Sequence, residues 1–286
     1  MRVSKLHGTG NDFLVTVALE TSEEQGSDAP GAAVARALCD RHRGVGADGL
    51  ITLLPGGDGA DCTMELRNVD GRIAEMSGNG IRCLAWVADR EGLGADGKLV
   101  VDTGGGRRTV STAFHVADVD HATVDMGPVV FDPAAIPLDA PSAFGLEASY
   151  HGATYEGDAA GVGNPHLVLF VDDVSKARVT QHGPHLEHDE RFPNGTNVEF
   201  VEVVDRKRLR MRVWERGVGE TLSCGTGVCA TAAVARRRGL VEDQLVVEVP
   251  GGEHTVSLGE TVHLGGQVQH VFDVDVDERE LVRRLA

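Results

Sequence analysis

Aromatic residues are scarce in this chain of 286 residues: two Trp, two Tyr and eight Phe make up 4% of it. Its core must therefore be filled by Val, Leu and Ala. Basic residues are outnumbered by acidic ones, 27 to 44, and the net charge of −17 works against binding nucleic acid or an anionic membrane surface. No stretch reaches the roughly 18 apolar residues that a membrane-spanning helix needs. The opening "MRVSKLHGTGNDF" meets polar residues and glycine too early for a signal peptide. Cysteine is limited to five residues, an odd number without regular pairing, which fits reduced thiols in a cytoplasmic protein better than a disulfide framework. Cys224 and Cys229 lack an accompanying CxxC or HxxxH spacing, so no metal site is expected there.

What is present fits a soluble globular protein: 41% apolar and 25% charged residues, in a chain long enough for two domains. An internal repeat organises it. "MSGNGIRCLAWVADREGL" (76–93) aligns without gaps on "SCGTGVCATAAVARRRGL" (223–240), placing Ser77 over Cys224. "KLVVDTGGGRRTV" (98–110) follows over "QLVVEVPGGEHTV" (244–256), and a weaker echo sets "GNDFLV" (10–15) over "GNPHLV" (163–168), pairing Asn11 with Asn164. The repeat is domain-sized, too long for a solenoid. The chain is expected to consist of an N-terminal half, 1–122 plus 270–286, and a C-terminal half, 123–269, facing each other about a pseudo-twofold axis. The segment 18–33, rich in turn formers and acids, reads as a surface loop.

In each half a Gly-x-Gly turn opens a segment of helical periodicity, with Ile81, Leu84, Ala85 and Ala88 in one and Val228, Ala232 and Ala235 in the other. Gly92 and Gly239 stand where those helices should stop. A β-branched strand and a glycine-rich turn come next. Each half thus reads as strands around a central helix whose N-terminus carries the motif. There, unpaired N–H groups and the positive end of the helix dipole suit an anion and lower the pKa of a thiol. A small residue before such a turn is also a common structural device. Two copies in one chain favour chemistry, because stereoinversion needs one group to remove a proton and another to return one to the opposite face.

The motifs "HGTGNDF", "RHRGVGADG", "NVDGRIAEMSGNGIRC", "GNPH", "NGTNVEF" and "ERGVGETLSCGTGVCA" occur in that order and span nearly the whole chain. In this the sequence closely resembles the diaminopimelate epimerases, cofactor-independent amino-acid epimerases. The resemblance implies an α/β fold of two pseudo-symmetric domains, each a curved mixed sheet around a central helix. It implies interconversion of LL- and meso-diaminopimelate, on the route to lysine and peptidoglycan, with no cofactor or metal, and a homodimer.

Matched motif by motif, the resemblance makes Cys224 the proton acceptor. It assigns Gly78, Asn79, Gly225 and Thr226 to the reacting carboxylate, and Asn11, Asn68, Asn164 and Asn197 to the substrate's polar groups. Glu215 and Arg216 would hold the distal amino-acid end, and His166 and Glu215 would tune the acid/base pair. Arg216 can grip a carboxylate with two prongs while Glu215 opposes an ammonium. By residue type alone, Asn11, Asn68 and Asn197 read first as turn formers, and His166 equally as a loop histidine.

Ser77 departs from the family, which carries a second cysteine there. A serine hydroxyl is far less acidic than a thiol, though it can donate a hydrogen bond or relay a proton from water. Ser77 is then an introduced replacement, a weaker natural partner, or the mark of another reaction on the same fold. Alternatives are another amino-acid racemase, a one-base dehydratase, or an inactive amino-acid-binding form. Cys83 lies too far into its helix to substitute for the missing thiol.

Overall fold

The computed structural model describes residues 1–19, 29–114 and 120–285. Most of the acidic loop expected over 18–33 lies outside the described residues. Its end differs from expectation, because Ala32 already begins a helix.

The chain divides into two compact units, 1–124 with 266–286, and 125–265. In unit 1 the strands are β1 (Arg2–Gly8), β2 (Asn11–Val17), β3 (Gly49–Pro55), β4 (Cys62–Asn68), β5 (Ile73–Ala74), β6 (Lys98–Thr103), β7 (Arg108–Ala113) and β8 (Asp120–Asp125). Its helices are α1 (Ala32–Cys39) and α2 (Gly78–Arg90). Unit 2 holds β9 (Leu146–Tyr150), β10 (Ala153–Gly161), β11 (Pro165–Phe170), β12 (Asn197–Asp205), β13 (Arg208–Glu215), β14 (Gly219–Thr221), β15 (Gln244–Val249) and β16 (Gly252–Leu258), with helices α3 (Val179–Leu186) and α4 (Gly225–Arg237). Strand β17 (Val262–Asp275) leads the chain back into unit 1, where it pairs with β1, and α5 (Glu278–Leu285) ends it.

The pairing order is the same in both units. β1–β2 is antiparallel, β2–β3 parallel, β3–β4 and β4–β5 antiparallel, β4–β6 parallel and β6–β7 antiparallel. In unit 2 the series β10–β11, β11–β12, β12–β13, β13–β14, β13–β15 and β15–β16 runs through the same senses. The sequence repeat is thus a repeat of topology, with Asn11 and Asn164 at equivalent places beside the second strand of each series.

The central helices explain why the motif segments are so apolar. In α2 every residue from Gly78 to Ala88 is buried, because the helix packs against β1, β2, β3, β4 and β7. Helix α4 is enclosed by β10, β11, β12, β13, β15 and β16, with Val228 through Ala232 all buried. A helix covered on all sides cannot carry a charged stripe unless the charge is paired. The exception in α2 is Arg82, fully buried, whose Nη2 donates to Asn79 Oδ1 at 2.8 Å. Both helices end at glycines with left-handed φ, +74° at Gly92 and at Gly239. Cys83 and Cys229 are fully buried core residues, and burial pushes the Cys83 thiol up to about 12.

Candidate active site

The N-terminus of α4 carries the thiol. Cys224 is the N-cap residue, with extended backbone (φ −123°, ψ 109°), and is only 6% exposed. Two residues on, the Thr226 hydroxyl lies 3.5 Å from its sulfur. Gly227 permits a close approach here: a Cβ at that position would stand 2.7 Å from Glu199 Oε1 and 3.4 Å from Cys224 Sγ. Neither the Gly225 nor the Thr226 N–H has a partner among the described residues, so the start of the helix presents two donors beside the thiol.

Two carboxyls, one buried and one partly buried, face this helix start. Glu215, at the end of β13, accepts from the Thr221 hydroxyl, and its charge acts on the Cys224 thiol. Glu199, on β12, is fully buried, and its Oε1 lies 2.7 Å from His166 Nδ1 while His166 Nε2 is 2.9 Å from Asn164 Oδ1. Glu199 Oε2 has no hydrogen-bond partner among the described residues. Burial pushes the Glu215 carboxyl up and Glu199 adds to this, against the opposing effects of Thr221, Cys224 and His166.

The thiol departs from expectation. Burial, followed by the negative charges of Glu215 and Glu199, raises Cys224 well above the ordinary thiol range, and these outweigh the Thr226 hydroxyl and the Gly227 N–H, which favour the thiolate. The helix start is present, but enclosure wins over its electrostatics. The resting group is a thiol, 3.5 Å from the Thr226 hydroxyl.

Asn197, buried at the start of β12, spans two elements: its Nδ2 donates to Pro165 O at 2.9 Å, and its Oδ1 accepts from Arg216 N at 2.9 Å. Expected as a substrate contact, it uses both ends of its amide on the protein, with one amide hydrogen remaining. Arg216 directs Nη1 at Asn194 O (3.2 Å) and forms no ion pair among the described residues, so the rest of its planar fork is open to a carboxylate.

In unit 1, Ser77 is the N-cap of α2, and its Oγ accepts the Gly80 N–H at 3.0 Å. Cys224 makes no such cap. The hydroxyl therefore has a structural duty that the thiol lacks, and retains its own hydrogen for donation. Replacing Ser77 with alanine should lower stability by about 1 kcal/mol, the usual worth of an N-cap, measured by urea unfolding; an unchanged midpoint would show that the cap contributes nothing.

Beside Ser77, Asn79 Nδ2 donates to Asn11 Oδ1 at 3.1 Å, and Asn11 Nδ2 donates to Asp48 Oδ2 at 2.7 Å. The chain of contacts continues through Arg41 to Asp12, which also pairs with Lys5 at 2.9 Å. Burial would raise Asp12, but Arg41 and Lys5 bring it down to about 2. Asn68, at the end of β4, is exposed and its side chain has no partner among the described residues. Unit 1 thus gathers Ser77, Gly78, Asn79 and Asn11. Unit 2 gathers Cys224, Gly225, Thr226, Glu215, His166 and Asn164, with Arg216 and Asn197 joined beside them. Sequence reasoning missed Glu199 and Asp48; the signal for Glu199 was a charge inside the apolar strand "NVEFV".

No described helix is long and apolar enough to cross a membrane. Residues 3–131 and 159–271 match the family model described as diaminopimelate epimerase. The chain is 39% identical over 280 residues to the diaminopimelate epimerase of Moorella thermoacetica, covering 96% of this chain and 99% of that one. It is 41% identical over 268 residues to that of Synechococcus elongatus, covering 92% and 93%. Among solved structures, a hydroxyproline epimerase from Agrobacterium vitis matches with a TM-score of 0.70 at 17% identity, covering 96% of this chain and 91% of that one. A phenazine biosynthesis protein from Bacillus anthracis matches with a TM-score of 0.69 at 15% identity, covering 96% and 98%. These structures speak for the fold alone. The sequence relatives go further: the chain belongs to the diaminopimelate epimerase family.

Proposed function

We propose that the chain interconverts LL- and meso-diaminopimelate by moving the proton on one α-carbon, with Cys224 as the group that removes it. The observation that carries this reading is the Cys224 thiol at the α4 N-cap, within the electrostatic reach of a Glu215 carboxyl that burial has made more basic. Glu215 takes the thiol proton, and the thiolate so formed removes the α-proton, becoming a thiol again. The electron pair left on carbon is spread into the substrate carboxylate, which the Gly225 and Thr226 N–H groups at the start of α4 stabilise. A proton returned to the opposite face completes inversion, a role that the resemblance to the family gives to position 77. His166, held by Glu199 and Asn164, assists Glu215 in setting the ionisation of Cys224.

One observation favours a second reading. Because the Ser77 oxygen already accepts the Gly80 N–H, it is a poor base, and a one-thiol enzyme would exchange the α-proton faster than it inverts the centre. The reading includes no metal or pyridoxal phosphate, so a chelator or a carbonyl reagent should leave activity unchanged. It includes a cytoplasmic homodimer, which sedimentation would test.

Glu215 and Arg216 are assigned to the distal end of diaminopimelate. Arg216→Lys should weaken substrate binding by about tenfold or more, because a point-charge ammonium does not reproduce a planar two-pronged contact. Calorimetry with diaminopimelate decides it; an unchanged Kd would remove Arg216 from the clamp.

A further inference from the structure

We infer that Glu187, which none of the site motifs contains, is the positioning residue for the Glu215–Arg216 clamp and thereby for recognition of the substrate's distal end. Glu187 caps the C-terminal end of α3 and is 8% exposed. Its Oε2 accepts from Trp214 Nε1 at 2.7 Å and its Oε1 from Gly217 N at 2.8 Å. These donors lie immediately before and after Glu215 and Arg216, so one carboxylate brackets the two residues of the clamp.

Its main chain holds the other side of the same turn. Glu187 O accepts from Thr196 N at 3.0 Å, next to Asn197, whose Oδ1 receives the Arg216 N–H. A Cβ on Gly195 would lie 3.3 Å from both Glu187 O and Arg216 Cδ, so the backbone at 195 is fitted between them. One turn back in α3, a Cβ on Gly183 would stand 2.6 Å from Trp214 Cβ, so only glycine lets the indole sit against the helix with its N–H aimed at Glu187. No basic side chain pairs with Glu187 among the described residues. A buried carboxylate served only by neutral donors is a costly way to fill space; what it supplies is two acceptors in a fixed plane. Arg216 lies in a turn of exposed residues, with Val218 74% exposed and Gly217 at φ +71°, so without this bracket its guanidinium direction would be loosely set.

The inference rests on the assignment of Glu215 and Arg216 to the distal end. Its test is Glu187→Gln, which keeps the size and one acceptor but sets an amide NH2 against one of the two N–H donors. The KM for diaminopimelate should rise on the order of tenfold, the cost of one buried donor left unpaired, with any fall in kcat, which Glu215 also serves, smaller than the rise in KM. Trp214→Phe, which removes one bond and keeps the ring, should raise KM by about threefold, and supplies the same test if Glu187→Gln does not fold. A KM unchanged in both variants, or a loss confined to kcat, overturns the role of Glu187. Arg216→Lys, measured alongside, separates the two levels. If it weakens binding and the Glu187 and Trp214 variants do not, only the bracket fails; if it too has no effect, the clamp assignment fails with it.

Discussion

Replacing Cys224 with alanine is expected to abolish both exchange of the substrate α-proton and epimerisation, a loss on the order of 10⁴-fold or more in rate. No other thiol can take its place. Cys229 lies inside α4, Cys83 inside α2, and both are fully buried. Glu215 remains in the variant, but as an oxygen acid hydrogen-bonded to Thr221 it lacks the position at the helix start. Parent enzyme should show a second signature of the same chemistry. Because burial, Glu215 and Glu199 raise the Cys224 thiol, the thiolate fraction at neutral pH is small. Since the proton passes to Glu215 rather than to solvent, the exchange rate at low substrate should be lost as pH falls through the raised titration of Glu215 and level off above it. Retention of more than a few per cent of parent exchange in Cys224→Ala would refute the assignment.

Ser77→Cys is the complementary change, and should raise epimerisation on the order of 10²-fold, the worth of one well-placed acid/base group. Its effect should fall on kcat, since Ser77 already fills its place at the α2 N-cap. The setting is prepared: Gly80 follows at the third position as Gly227 does after Cys224, and a Cβ on either would crowd the residue at the cap. Sulfur replaces oxygen on the same short stem. The structure adds a cost, because the hydroxyl accepts the Gly80 N–H at 3.0 Å and a thiol is a weaker acceptor. The variant should be faster and less stable, by roughly 1 kcal/mol. Equal turnover in parent and variant would make Ser77 a competent proton donor by itself.

The parts of this molecule that were legible in its sequence are those written locally. The internal repeat announced two like units, and Ser77 and Cys224 stand at helix starts where the Gly-x-Gly turns placed them. Helix α3 was hidden because "VTQHGPHL" contains Gly and Pro, residues that read as a loop unless one knows that Trp214 packs over Gly183. Glu199 was missed for a different reason. Its partner His166 comes from β11, and the parallel register that sets Val168 opposite Glu199 joins strands 27 or more residues apart. The ionisation of Cys224 was misjudged for the same cause: the helix start is local, whereas the burial and two carboxyls that oppose it come from tertiary structure. Asn197 shows the ambiguity of residue type, since its amide ties Pro165 to Arg216 whatever it offers a substrate.

The most direct test of the central claim is incubation of the purified protein with LL-diaminopimelate in heavy water, following deuterium at the α-carbon and its configuration together. The account predicts deuterium incorporation that depends on Cys224, accompanied by meso product, with exchange running ahead of inversion while position 77 is serine and drawing level in Ser77→Cys. Binding of diaminopimelate with neither label nor inversion, in the parent and in Ser77→Cys alike, would contradict it.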